Sequence, residues 1–294
     1  MTEIAVLTPD PGDATYAELW PTVLARLRAA LAASGIEATP TPWTQHVERA
    51  DALADHRLVL PLLAWGYHTD HARWLQACRT WAAAELRVAN PASVLAWNSD
   101  KRYLDALSRR GIPIPDTVWC DELGPEALDA AFESTGAAQL IVKPTVSGGA
   151  WKTRRLRRGD ALGDAPVGAA MIQRYLPTIE TEGETSLLYF GGQLSHVVNK
   201  RPAAGEFRIQ LQYGGVYTAL EAAPKGALDL ATRVLQAIDE PLLYARIDTV
   251  PDADGRWLLM EAELIEPDFY LGAQAGAGAR FARAVLDRLG DSDA

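Results

Sequence analysis

The stretch Met260-Glu-Ala-Glu-Leu-Ile-Glu-Pro-Asp268, read together with Arg246-Ile-Asp-Thr-Val250 upstream, decides the fold of this chain. Both runs are rich in apolar residues, and acidic residues stand two apart in the second run. A spacing of two is the period of one face of a β-strand. The link Pro251-Asp-Ala-Asp-Gly255 has the composition of a turn. The sequence therefore predicts a β-hairpin in this part of the chain.

Three carboxylates meet on one face of the predicted hairpin. Glu261 and Glu263 face the same side of their strand, and the turn brings Asp248 beside them. Carboxylates this close raise each other's pKa unless a cation neutralises them, and an all-oxygen ligand set suits Mg²⁺ or Mn²⁺. The alternative is three solvated acids on an edge sheet, but such acids would not need apolar residues on both sides. We therefore expect Asp248, Glu261 and Glu263 to bind a divalent metal.

The composition is that of an ordinary soluble globular protein with an acidic balance. Of the 294 residues, 48% are apolar and 22% are charged, and the net charge is -10. This acidity argues against nucleic acid as the main partner. The run Lys152-Thr-Arg-Arg-Leu-Arg-Arg158 is a local exception, which could face phosphates or form a solvated loop. The apolar runs are too short to cross a membrane.

Cysteine usage and the start of the chain predict a cytoplasmic protein. Cys78 and Cys120 lie far apart and do not form a disulfide framework. The first residues lack the positive segment and the long apolar core of a signal peptide. The tail Gly290–Ala294 is polar and is expected to be disordered.

Strands and helices alternate through the N-terminal third of the chain. Such alternation predicts a parallel sheet with crossover helices, and ligands bind beyond the carboxyl ends of its strands. The expected strands are Ile4–Leu7, Ile36–Thr39, Arg57–Leu63 and Leu86–Ala89, and the expected helices are Tyr16–Ser34, Gln45–Leu53 and His71–Leu86. A further helix is expected to open at Asn98-Ser-Asp-Lys101, because Ser or Asp can cap its start.

The loop Ala64–His71 lies at the edge of this sheet where a ligand would bind. His68 and His71 are three residues apart and could ligate a metal if the loop were helical. No third nitrogen or sulfur ligand is evident, so a loop that contacts substrate is the better interpretation. A loop that only packs the domain is the alternative.

Lys143 ends the apolar strand Gln139–Pro144, where a lysine is costly unless an anion meets it. The link that follows contains Ser147, Gly148 and Gly149, and its backbone amides can approach phosphates. The link is not a P-loop, because the ending Gly-Lys-Ser/Thr at a helix start is missing.

Four cations, Lys101, Lys143, Lys200 and Arg208, complete the candidate chemistry. Each of them alone would be an ordinary surface charge. Together with the glycine link and the acids they suit a Mg²⁺-nucleoside triphosphate, because cations and metals spread the charge of a phosphoryl group in transfer.

These motifs, in their order and spacing, resemble the ATP-grasp superfamily, in the branch of bacterial glutathione synthetase and related carboxylate–amine ligases. The motifs are Asn98-Ser-Asp-Lys101, Ile141-Val-Lys-Pro144, Ser147-Gly-Gly149, Ile172–Pro177, Asn199–Pro202, Gly205–Arg208, Gly214-Gly215, Arg246-Ile-Asp248 and Met260–Glu263. The resemblance implies an α/β protein with α+β character in its ATP-binding part. It also implies a Rossmann-like domain at residues 1–97, a central lid at 98–172 and a C-terminal subdomain with the metal site at 173–294.

The resemblance implies a role for each site residue. The implied nucleotide-binding residues are Lys101, Lys143, Ser147, Gly148, Gly149, Gln173, Tyr175, Leu176 and Glu184, the catalytic residues are Lys200 and Arg208, and the metal ligands are Asp248, Glu261 and Glu263. Both lysines of the first group would hold the phosphates of ATP, and Glu184 would take the ribose. The catalytic cations would grip the γ-phosphate and the acyl phosphate. The cofactors would be ATP and Mg²⁺, with Mn²⁺ as an alternative metal.

Departures from glutathione synthetase fall mostly on the substrate side. Ser186 stands where those enzymes tend to carry Arg, Glu263 stands where they carry Asn, and Phe269-Tyr270 replaces smaller polar residues. The loop at Trp65 and the segment Trp97–Lys101 resemble ligases of the family that act on small substrates. The resemblance implies ATP-dependent closure of O-ureido-D-serine to a five-membered ring.

Three further expectations concern the substrate and partners. The walls of a small polar pocket would come from residues 65–71 and 266–270. A ligase that joins two amino acids is the alternative within the class, and a non-catalytic nucleotide-binding sensor is the alternative outside it. The partner would be a small amino acid, and a homodimer stays open.

Overall fold

The computed structural model describes residues 2–290. Of the tail that the sequence predicts to be disordered, Gly290 ends a helix and residues 291–294 lie outside the described residues. The N-terminal part begins with a parallel sheet, as predicted. Its elements are β1 (Thr2–Thr8), α1 (Trp20–Ala32), β2 (Ile36–Pro42), α2 (Asp51–Ala54), β3 (Val59–Leu60), α3 (His71–Ala83), α4 (Ala92–Asn98) and α5 (Tyr103–Arg109). The strand order is β2-β1-β3, with both pairs parallel.

Two predictions in this part are wrong. A helix at 45–53 is replaced by a 3₁₀ turn at Trp43–His46 and the short α2. The carbonyls of His46 and Val47 accept hydrogen bonds from side chains of α3, namely Trp81 Nε1 at 2.9 Å and Thr80 Oγ1 at 2.6 Å, instead of helical amides. The strand expected at 86–89 is reduced to one bridge between Val59 and Val88.

The middle of the chain forms an antiparallel sheet with its own core. Its elements are β4 (Thr117–Cys120), α6 (Pro125–Thr135), β5 (Gln139–Pro144), β6 (Arg154–Arg157) and β7 (Ala170–Arg174), in the order β4-β7-β5-β6. Phe132 of α6 packs with Leu140 and Ile172 of the sheet. Met171 of β7 belongs instead to the core cluster of the C-terminal sheet, so the two sheets pack against each other.

The C-terminal part is a five-stranded antiparallel sheet in the order β10-β9-β8-β11-β12. Its elements are α7 (Thr178–Thr181), β8 (Glu184–Phe190), β9 (Gln193–Arg201), β10 (Val216–Leu220), α8 (Lys225–Ala237), β11 (Tyr244–Pro251), β12 (Trp257–Glu263) and α9 (Ala277–Gly290). The predicted hairpin is confirmed as β11–β12, and Asp248 pairs with Glu261 in its register. The hairpin β8–β9 turns at Gly191-Gly192, a pair of glycines that by itself predicts a tight turn from the sequence.

Side chains of the preceding helices cover the outer edge of β12. Asn98 donates through Nδ2 to the carbonyl of Ala262 at 2.8 Å and accepts the amide of Leu264 at 3.0 Å. The hydroxyl oxygen of Tyr103 accepts the amide of Ala262 at 2.8 Å. These bonds take up backbone groups that an edge strand would otherwise leave open. The helix that was expected to open at 98–101 begins two residues later, as α5 at Tyr103, while Asn98 itself ends α4 and Lys101 lies in the turn between the two helices.

The N-terminal and C-terminal parts share buried cores. Ile4 and Leu31 belong to the same cluster as Phe190 and Phe281. Helix α5 packs through its buried apolar residues with the C-terminal sheet, although the domain prediction groups it with the lid. The borders 1–97, 98–172 and 173–294 stay a prediction. Within residues 2–290, no helix combines the length and apolar character needed to span a membrane.

Candidate active site

A buried ion-pair network forms where β8, β9 and β11 lie side by side. Asp248 of β11 is 2% exposed, and its Oδ2 lies 3.2 Å from Lys200 Nζ and 3.0 Å from Arg246 Nη2. Ser186 donates its hydroxyl to Asp248 Oδ1 at 2.5 Å. Glu184 of β8 lies 2.6 Å from Lys200 Nζ. Strand register places all of these groups, because β8 pairs with both β9 and β11.

The charges in this network are unequally compensated. Burial raises the pKa of Asp248, but Arg246 and Lys200 outweigh it and hold that pKa at about 2. Burial raises the pKa of Glu184 to about 7, although Lys200 opposes the shift. Burial lowers the pKa of Lys200, but the two carboxylates outweigh it and raise the pKa above its ordinary value. Asp248 and Lys200 are therefore fully charged at neutral pH.

Lys101 joins three segments of the chain that are distant in sequence. It lies in the turn before α5, and its Nζ donates to Glu261 Oε1 at 2.7 Å and to the carbonyl of Ser147 at 3.3 Å. The predicted phosphate lysine, the glycine link and the acids of β12 thus meet in one place. Its side chain is 12% exposed, so the pair with Glu261 is shielded from water.

The three predicted metal ligands face the same region, but each is paired with a cation. Asp248 contacts Lys200 and Arg246, Glu261 contacts Lys101, and Glu263 contacts Arg246. Within residues 2–290, no three acidic, histidine or cysteine side chains converge as a metal-binding group. The oxygen donors nevertheless fit Mg²⁺ chemically. Burial raises the pKa of Glu263 to about 8, although Arg246 opposes the shift. The metal assignment stays a prediction.

Lys143 is the predicted phosphate ligand with free donors. Within the described residues, its ammonium makes no hydrogen bond or ion pair inside the distance limits of such contacts. Burial lowers its pKa, and Lys101 lowers it further, while Glu261 opposes the shift. An unpaired lysine at the end of a sheet is open to a bound anion.

The glycine link docks against the N-terminal domain. A Cβ atom on Gly148 would lie 3.5 Å from Nδ1 of His68, and the His68 and Trp151 rings are 6.0 Å apart. Ser147 is buried. The loop that the sequence predicts to contact substrate therefore touches the link that it predicts to contact phosphate.

The predicted adenine residues lie along the end of β7. Gln173 is buried and donates through Nε2 to Thr117 Oγ1 at 3.1 Å. The amide of Tyr175 donates to the carbonyl of Gln139 at 3.0 Å, and its hydroxyl bonds to Glu180. Leu176 is partly buried beside them. Gln173 is thus held by the lid, and its role toward adenine stays a prediction.

Comparisons with known proteins identify relatives of this chain. A family model described as the N-terminal domain of D-cycloserine synthetase DcsG matches residues 4–90. The cycloserine biosynthesis protein DcsG of Streptomyces lavendulae is 29% identical over 245 residues, which cover 76% of this chain and 81% of the relative.

Two crystal structures align over nearly the whole chain. D-cycloserine synthetase DcsG aligns with a TM-score of 0.79 at 24% identity, over 98% of this chain and 99% of that chain. The D-alanine–D-alanine ligase of Bacillus anthracis aligns with a TM-score of 0.72 at 16% identity, over 99% of this chain and 97% of that chain. Both neighbours are ATP-grasp ligases. The chain has the fold of the ATP-grasp ligases.

The chain is an ATP-dependent ligase that forms C–N bonds, as its similarity to named ligases shows. ATP-grasp ligases use ATP with Mg²⁺. The predicted fold class and the predicted enzyme class are therefore confirmed. The sensor alternative loses its support.

Arg208 is a predicted site residue that pairs outside the ion-pair network around Asp248. Its Nη2 lies 2.7 Å from Glu206 Oε2, and its guanidinium stacks 3.7 Å from the centre of the Tyr213 ring. Among the described residues, it makes no ion pair with the carboxylates of β11 and β12. The loop 202–215 that carries it is mostly irregular, so strand pairing does not fix the position of Arg208.

Arg246 had no role in the sequence prediction, and Tyr270 was predicted only as part of a pocket wall. Arg246 bridges Asp248 and Glu263, and Tyr270 lies over the cations of Arg246 and Lys200 at 5.4 and 5.9 Å. A signal for Arg246 existed, because it stands two residues before Asp248 and therefore shares its strand face.

Two aromatic residues of the predicted pocket walls turn inward instead. Phe269 is 3% exposed and packs 4.9 Å from the rings of Phe190 and Phe281. Tyr67 is 6% exposed and lies 5.1 Å from Trp74. Both are core residues, which corrects the expectation that they line the pocket.

Proposed function

We propose that this ligase activates the carboxylate of O-ureido-D-serine and closes it to D-cycloserine. The family model for residues 4–90 and the DcsG relative support this reaction, because both carry the name DcsG and both names refer to cycloserine. The observation that carries the proposal is the junction at Lys101, where an acid of β12, the glycine link and the N-terminal loop meet. Such a junction brings a nucleotide phosphate and a small substrate to one place.

The proposed reaction has two bond-forming steps. The substrate carboxylate attacks the γ-phosphorus of ATP, the bond to the β–γ bridging oxygen breaks, and ADP leaves behind an acyl phosphate. The nitrogen attached to the side-chain oxygen then attacks the acyl carbon and loses its proton, and inorganic phosphate leaves. Water removes the ureido carbonyl, which departs as carbon dioxide and ammonia.

In this proposal Lys101, Lys143 and the link 147–149 hold the phosphates of ATP. Lys143 is suited to this task because it has no other anionic partner within hydrogen-bond distance among the described residues. Lys200 and Arg208 stabilise the charge that gathers on the transferred phosphoryl group. Positioning and electrostatics supply most of the acceleration in phosphoryl transfer.

The remaining residues complete the nucleotide site. Asp248, Glu261 and Glu263 would hold Mg²⁺, or Mn²⁺ in its place, and the metal would neutralise charge on the phosphates when bound. The adenine would lie against Gln173, Tyr175 and Leu176. Glu184 would accept a hydrogen bond from the ribose.

The test is to incubate the protein with Mg-ATP and O-ureido-D-serine. We expect ADP and D-cycloserine to appear together in equal amounts, measured by a coupled ADP assay and by mass spectrometry. ADP without D-cycloserine would contradict the ring closure, and no ADP would contradict this substrate.

A ligase that joins two amino acids is the second candidate. The whole-chain similarity to D-alanine–D-alanine ligase favours it. ADP release that requires a second amino acid would identify this activity. Sedimentation of the same samples would test whether the protein forms the homodimer that the sequence left open.

A further inference from the structure

Glu266 differs from the other acids that surround this site. Asp248, Glu261, Glu263 and Glu184 each lie within ion-pair distance of a lysine or arginine. Within residues 2–290, the Glu266 carboxylate has no ion pair or hydrogen bond with another residue, and it accepts only from its own backbone amide. It is nevertheless partly buried, and burial raises its pKa to about 7. A shielded carboxylate without a cation is costly unless a ligand supplies one.

The backbone around Glu266 is held in place from both sides. Ile265 is 1% exposed, packs with the core of the N-terminal domain, and its carbonyl accepts the hydroxyl of Tyr244 at 2.8 Å. Pro267 follows and is buried. The carboxylate is therefore presented from a fixed segment directly after the acids of β12.

A wall of the N-terminal domain lies within electrostatic reach of Glu266. A Cβ atom on Gly66 would lie 3.4 Å from Asp13 Oδ2 and 3.6 Å from the Tyr16 ring. The rings of Tyr16 and Trp65 are 5.5 Å apart. Burial raises the pKa of Tyr16, and the charges of Asp13 and Glu266 raise it further.

The segment that carries Glu266 also borders the phosphate end of the site, because the carbonyl of Asp268 accepts a hydrogen bond from Arg246 Nη1 at 3.4 Å and Glu261 of the preceding strand accepts one from Lys101 Nζ at 2.7 Å. Burial lowers the pKa of Lys101, but Glu261, Glu263 and Glu266 together outweigh it and raise that pKa. Negative charge from Glu266 therefore reaches both the lysine that is proposed to hold phosphate and the tyrosine of the opposite wall. A small amino acid placed between them would have its carboxylate toward Lys101 and its ammonium toward Glu266.

We propose that Glu266 binds the α-ammonium group of the substrate and makes this site specific for amino acids over acids that lack the amine. The inference rests on the proposed function for the identity of the substrate. The chemistry leaves the α-amino group free for such a contact, because neither bond-forming step consumes it and it stays a free amine on the product. A hydrogen-bonded ion pair between the substrate ammonium and Glu266 also orients the substrate, so that the substrate's own carboxylate faces the γ-phosphate.

The experiment compares O-ureido-D-serine with 3-(ureidooxy)propionate, the same acid without the amino group. Dissociation constants are measured by calorimetry with Mg-ADP present, so that no turnover occurs, and kcat/KM is measured with Mg-ATP. We expect the wild-type protein to prefer the amino acid in both measurements. In Glu266→Gln this preference falls by about 10- to 100-fold, the size of a charge-assisted hydrogen bond.

Control variants separate this role from a general effect of charge or folding. Glu18→Gln removes the same charge from an exposed position near Tyr16, and it keeps the wild-type preference. Glu266→Asp retains the charge and restores most of the preference. The affinity for Mg-ADP and the melting temperature stay unchanged in all three variants.

The outcomes distinguish the two proposals. A Glu266→Gln protein that still prefers the amino acid as strongly as wild type overturns the role of Glu266 and leaves the proposed function intact. Wild-type protein that binds the amino acid without turnover contradicts the proposed function, while the two dissociation constants still decide on Glu266. Absence of both binding and turnover overturns both proposals.

Discussion

The buried ion-pair network around Asp248 and the loop around Arg208 differ in how firmly they position their predicted site residues. The Lys200 and Asp248 side chains are each 2% exposed, and strand pairing fixes both of them. The Arg208 and Glu206 side chains are 30% and 22% exposed, and they pair across only two residues of an irregular loop. Strand pairing fixes the positions of residues on neighbouring strands, whereas the position of a residue on an irregular loop can change.

The largest expected effect on stability comes from a substitution that breaks the buried ion-pair network. Asp248→Ala leaves Lys200 and Arg246 with one carboxylate fewer in a buried place. Removing one partner of a buried ion pair costs about 3 to 5 kcal/mol in the free energy of unfolding. Urea unfolding would measure this loss. Glu206→Ala is the matched control in the loop and should cost less than about 1 kcal/mol, because partly exposed pairs contribute little. Equal losses in the two variants would contradict the comparison.

The next effect concerns the acid that faces Lys101. Glu261→Gln removes one negative charge from the predicted metal ligands but keeps the shape of the side chain. We expect turnover to fall by about 1000-fold or more, while the melting temperature changes little. Turnover is measured with saturating Mg-ATP, and the fold is checked by circular dichroism. Wild-type activity in this variant would exclude Glu261 from the metal site.

Arg208→Ala tests whether the loop acts only during the reaction. We expect kcat to fall by about 100-fold, while the KM for ATP changes much less, because the arginine reaches the phosphoryl group only as charge is redistributed. The free energy of unfolding should change by less than about 0.5 kcal/mol, since the pair with Glu206 is partly exposed. A rise in KM alone would make Arg208 a ground-state binding residue.

The smallest effect concerns nucleotide affinity. Lys143→Ala should weaken ATP binding by about tenfold, because an otherwise unpaired ammonium is lost from the phosphate site. Calorimetry with Mg-ATP measures this change. Lys152→Ala removes the same charge from an exposed part of the lid and should leave the affinity unchanged. Equal losses in the two variants would mean that the general charge of the lid, and not Lys143 itself, attracts ATP.

Local patterns in the sequence were sufficient for much of this fold. The apolar runs and the turn at 251–255 predicted the hairpin β11–β12, and the pairing of Asp248 with Glu261 followed from it. Gly191-Gly192 predicted the turn between β8 and β9. These features depend on residues close in sequence, for which side-chain periodicity and backbone preferences act directly. The resemblance to ATP-grasp ligases was also carried by short motifs.

The tertiary structure alone decided which charges pair and which residues face the site. Asn98 lies in the motif that was predicted to open a helix, yet it ends α4 and bonds the edge of β12, more than 160 residues away. Arg246 forms ion pairs with one carboxylate on each of two strands, and Phe269 packs in the core. Among the described residues, Glu266 has no cation within ion-pair distance. Such outcomes depend on which surfaces meet after the chain has folded. No local period encodes them, because ion pairing and burial depend on distance in space and not on separation along the chain.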